Sequence, residues 1–426
     1  MSATQVRGRP DGAGLTPAAR RFLASHPQLE TPFLVFDLDV VEMRYRQLIE
    51  AMPATRVFYA VKANPARQVL ERLAEIGSGF DVASPGEIDR CLKIGIDPAR
   101  LAFGNTIKKE RDIAYAHRCG VGTFTVDAEA ELDKVIRQAP GATVYVRIST
   151  DGAGADWPLS RKFGCGPRDA LRLLRKAAHA GLRFGLCFHV GSQQRDVTAW
   201  DRALADVGVL VRRLRQEGFE PAGVNLGGGL PCQYREPVAG VAAYGEAIRR
   251  AVASHLGQDF AGDVLVEPGR YLVGDAGVIQ TEVVLISRRP AGDQTRWVYL
   301  DIGMFNGLTE TLDEAIRYRV GVPPGRGGPG PVVLAGPSCD SADVLYEKSG
   351  YQLPVGLRIG DRLQLMSAGA YTASYSTVWF NGFEPLRTYF VSATTPVTGV
   401  SSARPPLFPD DIDDSDPWRF RDALVR

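Results

Sequence analysis

Apolar positions fall along this chain in two regimes. Between residues 56 and 269, short apolar and β-branched runs recur: RVFYAVKA (56–63), GFDVAS (79–84), RLAFGN (100–105), GTFTVD (122–127), TVYVRIS (143–149), RFGLCFHVG (183–191), GVNLGGG (223–229) and DVLVEPG (263–269). Most are apolar at successive positions, as in strands covered on both faces. Between them lie stretches with apolar residues at i, i+3 and i+4. ARQVLERLAEIG, EIDRCLKIG and EAELDKVIRQA predict helices, the first two closed by glycine. Eight strands alternating with helices predict an α/β fold, a closed parallel (β/α)8 TIM-type barrel. An open doubly wound sheet is the alternative, and eight units in series fit closure better.

After about residue 277 the helical period fades. VIQTEVVLISRR, RWVYLDIG, PVVLAGPSC and DRLQLMSAG read as longer strands joined by turns, with GRGGPGP (325–331) as a hairpin-like loop. This predicts a second, mainly antiparallel β-domain. The pattern divides the chain into a flexible segment at 1–28, with a short helix near Pro17 to Leu23, a barrel at 29–277, and a C-terminal β-domain and tail at 278–426. The early strand PFLVFDL (32–38) precedes the barrel and is assigned to the β-domain. The acidic tail beginning DDIDDSD reads as a solvated surface segment.

Composition narrows the function classes. A chain of 426 residues exceeds one small core, and 50 Lys and Arg against 49 Asp and Glu leave a formal net charge of +1. That balance argues against nucleic acid or an anionic membrane as the main partner. No apolar run is long enough to span a bilayer, and the first residues lack the apolar core of a signal peptide. The six cysteines form no CxxC pair and the five histidines show no HExxH spacing, so neither a metal site nor a disulfide framework is expected. The expectation is a cytoplasmic protein with reduced thiols.

Candidate chemistry sits where a barrel carries it, at the C-terminal ends of the strands. The run VFYAVKANP ends in Lys62, and Pro65 stops the ladder just beyond it. The following ends bring Asp81 and Ser84, Arg147, His189 and Ser192, Gly227 to Gly229, and Glu267 and Arg270. Taken singly, each has an ordinary reading: a lysine reaching solvent, a satisfied core histidine, a tight turn, a surface ion pair. Together they offer a glycine-lined anion seat, with Arg270 beside it, next to an amine, a flat imidazole and a carboxylate. That combination suits pyridoxal 5′-phosphate, with Lys62 joined to its aldehyde, His189 stacked on its ring and Glu267 at its pyridine nitrogen. No GxGxxG or GxxxxGK[ST] supports a nucleotide site.

The ordered motifs YAVKANP, FHVGSQ, NLGGGLP, EPGRYLV, GPSCDSADVL, GAYTASYS and FNGF, spanning about residues 32 to 392, resemble the fold-type III pyridoxal-phosphate decarboxylases. DWPLSRKFG (156–164) and ETLDEAIRY (310–318) are most similar to bacterial ornithine and ornithine/lysine decarboxylases. The resemblance implies coenzyme contacts at Lys62, Asp81, Arg147, His189, Ser192, Gly228, Gly229, Glu267, Arg270 and Tyr371. It also implies a homodimer with shared active sites. Cys339 would enter from the neighbouring subunit to protonate Cα. Asp340 would grip the distal ammonium of a basic amino acid, and Phe380 would cross the same interface. Glu314, or Asp313 beside it, lies near the family's second acidic contact. L-Ornithine is the substrate so implied; lysine, one methylene longer, and an unusual basic amino acid stay open, and diaminopimelate fits Asp340 less well. A non-catalytic relative should have lost Lys62, Cys339 or the glycines, and all are present.

Overall fold

The computed structural model of the protein describes residues 14–159, 161–288, 295–377 and 379–393. Strand β1 (Phe33–Asp37) is followed by β2 (Thr55–Ala60), β3 (Gly79–Val82), β4 (Leu101–Phe103), β5 (Thr123–Val126) and β6 (Thr143–Arg147). Then come β7 (Ala155–Trp157), β8 (Arg183–Cys187), β9 (Ser192–Gln194), β10 (Gly223–Asn225) and β11 (Asp263–Val266). The C-terminal strands are β12 (Gly277–Arg288), β13 (Arg296–Leu300), β14 (Arg319–Gly321), β15 (Pro329–Ala335), β16 (Val344–Tyr346), β17 (Gln352–Pro354), β18 (Arg362–Met366) and β19 (Arg387–Val391).

Strands β2, β3, β4, β5, β6, β8, β10 and β11 close into a barrel in that order, with β11 pairing back to β2 in parallel. Each strand alternates faces: Val57 and Tyr59 pack in the large core shared with the surrounding helices, whereas Phe58 joins Ala102, Tyr145, Cys187 and Leu265 in a separate cluster. Both faces are therefore covered, which is why these segments are apolar throughout. The predicted helices form over Arg67–Glu75, Pro85–Lys93 and Glu129–Gln138.

The remaining nine-stranded sheet runs β14-β18-β12-β13-β15-β16, with β17 on β15 and with β1 joining β12 to β19. Two of its pairings, β1 with β19 and β13 with β15, are parallel; the others are antiparallel. Strand β1 is buried at all five positions because its two faces serve two cores. Leu34 and Phe36 point into the core shared with the barrel, while Phe33 and Val35 pack under the helix Pro17–Ser25. Truncating a ring such as Phe36 to alanine would cost about 3–5 kcal/mol.

The segment GRGGPGP departs from the hairpin-like reading. It links β14 to β15, which are not neighbours, and Pro329 to Pro331 already pair with β17. Proline is tolerated there because β15 gains its second partner, β13, only from Val332 onward. Residues 1–13 and 394–426, part of the expected flexible and tail segments, lie outside the described residues.

Candidate active site

The strand-end lysine is set in a turn, not in the ladder. Beyond Ala60 the chain makes one 3-10 turn, Val61–Ala63, that carries the Lys62 side chain out of β2. Several bonds hold this turn. Tyr59 Oη donates to Asn64 O at 3.0 Å, and Asn64 Nδ2 to Gly369 O at 3.1 Å. Tyr371 N donates to Ala63 O at 2.8 Å and Ser374 Oγ to Lys62 O at 2.8 Å. The segment 369–374 from the C-terminal half thus fixes the backbone from which the amine projects. Lys62 Nζ lies 3.1 Å from Asp81 Oδ2 at the end of β3. That carboxylate holds the ammonium above its usual pKa, against the opposing effect of burial.

Lys62 lines a cavity of about 380 Å³ together with His189, Ser192, Gly228, Gly229 and Glu267, and with Arg270 and Tyr371. Asp81 and Arg147 do not line it. Asp81 acts on Lys62, and the Arg147 guanidinium lies 5.0 Å from the Phe163 ring centroid. Trp157 and Leu159, from the stretch DWPLSRKFG, also reach the cavity. The β7–β9 pair places Trp157 opposite Ser192.

The His189 ring has a defined proton. Its Nδ1 accepts the Gly191 N–H at 3.0 Å, so a neutral ring carries hydrogen on Nε2. Burial, with Arg147 and Lys62 nearby, pushes its pKa well below the usual imidazole value and keeps it neutral. Glu267 behaves oppositely. Burial and the repulsion of Asp81 push its carboxyl up to about 7, partly offset by a hydrogen bond from Asn225 Nδ2 at 2.5 Å. The Asn225 amide is oriented in turn by Gly227 N–H, which donates to its Oδ1 at 2.9 Å. Asn225 was missed in the sequence, although it opens the NLGGG motif.

The glycines are required by close approach. A Cβ on Gly228 would stand 2.7 Å from Glu267 O and 3.1 Å from His189 Nε2. Gly229 has φ +112° and leaves only 2.7 Å to Gly191 O. The cavity therefore combines an amine, a neutral flat ring, a carboxyl of raised pKa, and an anion seat of glycine backbone, Ser192, Arg270 and Tyr371. This set fits pyridoxal phosphate at its aldehyde, its ring, its ring nitrogen and its phosphate.

Other predicted residues stand elsewhere. Cys339, Asp340 and Phe380 do not line the cavity of their own chain. Cys339 and Asp340 are exposed. The Cys339 N–H donates to Asn381 Oδ1 at 2.9 Å, and Phe380 packs on Phe305 with ring centroids 4.7 Å apart. The GPSCD and FNGF loops are thus joined. Asp343 holds the first of them, accepting Met304 N at 2.7 Å and Ser338 N at 3.0 Å. Glu314 is not brought to the cavity. It is buried, and its Oε1 accepts the N–H groups of Glu347 at 2.7 Å and Lys348 at 2.5 Å. The acidic residue of that segment that does line the cavity is Glu310, four positions earlier.

Residues 38–274 match the family model described as pyridoxal-dependent decarboxylase, pyridoxal binding domain. A lysine/ornithine decarboxylase of Selenomonas ruminantium is 37% identical over 358 residues, 84% of this chain and 88% of that protein. The solved lysine decarboxylase from Selenomonas ruminantium aligns with TM-score 0.78 and 34% identity over 88% of this chain and 96% of that one. The lysine/ornithine decarboxylase from Vibrio vulnificus complexed with putrescine gives TM-score 0.77 and 30% identity over 87% and 97%. Matched over more than half its length by that model, and across most of its length by these relatives, the chain belongs to the pyridoxal-dependent decarboxylases.

Proposed function

We propose that the protein removes the α-carboxylate of a basic L-amino acid, with L-ornithine as the first substrate and putrescine as its product. The observation that carries this reading is the convergence of Lys62, His189, Glu267 and the Gly228–Arg270 seat on one cavity. Pyridoxal phosphate, when bound, supplies the sink for the electron pair left when the Cα–carboxylate bond breaks.

The chain's own groups do the rest. Asp81 orients Lys62 Nζ at the cavity and favours its ammonium form, so the amine becomes a nucleophile only once it has given up its proton and left that ion pair. His189, neutral and flat, offers an uncharged face. Glu267 is the group suited to hold a proton at the ring nitrogen, which strengthens the sink. Arg147 completes the charge balance on this side, next to His189 and Glu267.

The substrate's distal ammonium needs a desolvated carboxylate. We assign that role to Asp340, and proton delivery to Cα to Cys339, both from a second copy of the chain, with Phe380 crossing at the same place. Support comes from their exposure and from the Cys339–Asn381 bond that groups the two loops. The working unit is then a homodimer. Glu314, engaged with Glu347 and Lys348, is a weaker choice for the second acidic contact than the exposed Asp313 beside it. Lysine is the alternative substrate, because one methylene in a pocket is worth only ~1–3 kcal/mol. Among the described residues no helix is long and apolar enough to cross a membrane, and the six cysteines are free, so we assign the protein to the cytoplasm.

The test is a side-by-side comparison of ornithine, lysine, arginine and diaminopimelate with added pyridoxal phosphate. Ornithine should give the highest kcat/KM, with lysine next. Preference for diaminopimelate, or no CO2 from any of the four, would overturn the reading.

A further inference from the structure

Arg270 opens the turn after β11 and is 3% exposed. Arginine has five N–H donors, and here each has an acceptor. Nη1 donates to Glu310 Oε2 at 2.7 Å and to Tyr234 Oη at 2.7 Å. Nη2 donates to Glu310 Oε1 at 2.6 Å and to Ser192 Oγ at 3.0 Å, and Nε reaches Ser192 Oγ at 3.3 Å. The Tyr371 ring lies 4.9 Å from the guanidinium carbon.

Glu310 is buried at 6% exposure and comes from the segment after β13, so it reaches the rim from the β-sheet side. Both its oxygens accept from the guanidinium, so its charge is already paired within the chain. Ser192 accepts from Arg270, so its own hydroxyl hydrogen is free to be donated into the cavity it lines.

We propose that Glu310 is a positioning residue of the phosphate seat. Its carboxylate closes on the Nη1–Nη2 end of Arg270 and leaves the Nε–Nη2 edge to hold Ser192 Oγ, whose hydroxyl hydrogen is then turned to the coenzyme's phosphate. The inference rests on the pyridoxal-phosphate reading of the cavity and adds to it a residue that acts through Arg270. A bidentate pair fixes the guanidinium plane, and a long side chain so fixed has no rotamer freedom left to lose when the phosphate arrives. Without the carboxylate, Arg270 would be a buried, unpaired cation free to swing away from Ser192.

The experiment titrates the full-length chain with pyridoxal phosphate and with pyridoxal, reading binding by absorbance and by equilibrium dialysis, for the wild type, Glu310→Gln and Glu310→Asp. The wild type should prefer the phosphorylated aldehyde. In Glu310→Gln the affinity for pyridoxal phosphate should fall about 10- to 100-fold while that for pyridoxal stays within about twofold, the scale of a lost charged hydrogen bond. Glu310→Asp keeps the charge with a shorter reach and should fall between, so the claim stays testable if the Gln variant fails to melt cooperatively. Equal loss for both aldehydes, or no loss for either, overturns Glu310's role alone. A wild type that binds both aldehydes equally overturns the seat itself, and the proposal with it.

Discussion

At the barrel rim, Lys62 meets Asp81, Glu267 meets Asn225, and Arg270 meets Glu310, Tyr234 and Ser192, all within one chain. The GPSCD and FNGF loops are built differently. Their backbone is pinned by Asp343 and Asn381, yet Cys339 and Asp340 face outward and none of Cys339, Asp340 and Phe380 reaches the cavity of its own subunit. The first region is a finished receptor for one small molecule. The second is held by its backbone and keeps its side chains off the cavity that Lys62 lines. Under the proposed function, coenzyme binding and substrate chemistry are therefore separable: the first would need one subunit, the second two.

Four substitutions probe that separation. The largest effect belongs to Lys62→Ala. It should abolish the visible absorbance of the covalently held coenzyme and reduce CO2 release to background, and an unchanged spectrum would contradict the rim assignment. Cys339→Ala should leave that spectrum intact and slow turnover by about 10²–10⁴-fold, the usual contribution of a positioned proton donor. A spectral loss equal to that of Lys62→Ala would place Cys339 in the coenzyme site instead. Asp340→Ala should raise KM for ornithine and lower kcat/KM by about 10- to 100-fold, with coenzyme affinity unchanged. A change confined to coenzyme affinity would move Asp340 to the other region.

The smallest effect concerns stability and pH. Burial raises the Glu267 pKa to about 7 in the folded chain, against 4.5 for the free group. The folded state therefore keeps a proton that the unfolded state releases, so stability falls as pH rises from 4.5 to about 7 and stays lower above it. Without coenzyme, Glu267→Gln should melt about 1–3 °C above the wild type at pH 8 and show no advantage near pH 4.5. A difference independent of pH would show that Glu267 is not the titrating group.

Much of the rim was legible because its signals are local. The β-run VFYAV halted by Pro65 marks a strand end, and three consecutive glycines mark a close approach of backbone. Lys62, Gly228 and Gly229 could therefore be picked out without a fold. The role of Glu310 was not legible. ETLDEAI offers three carboxylates, and which one reaches the rim depends on the backbone turning left-handed at Asp313 and Glu314 (φ 52° and 56°), where no glycine announces it. It depends also on Arg270, 40 residues away in sequence. Asn225 escaped for the same reason, since its carboxyl partner lies on the adjacent strand end, 42 residues on. The parallel pairing of β13 with β15 was equally silent, because the apolar pattern of a strand carries no direction.

The most direct test mixes Lys62→Ala and Cys339→Ala, each inactive alone, under conditions that allow subunits to exchange. With random exchange, half of the dimers are hybrids carrying one intact site of two, so activity should recover to about one quarter of the wild type. Recovery near that level places the two residues of one working site on different chains. No recovery despite demonstrated exchange would mean that each subunit works with its own Cys339.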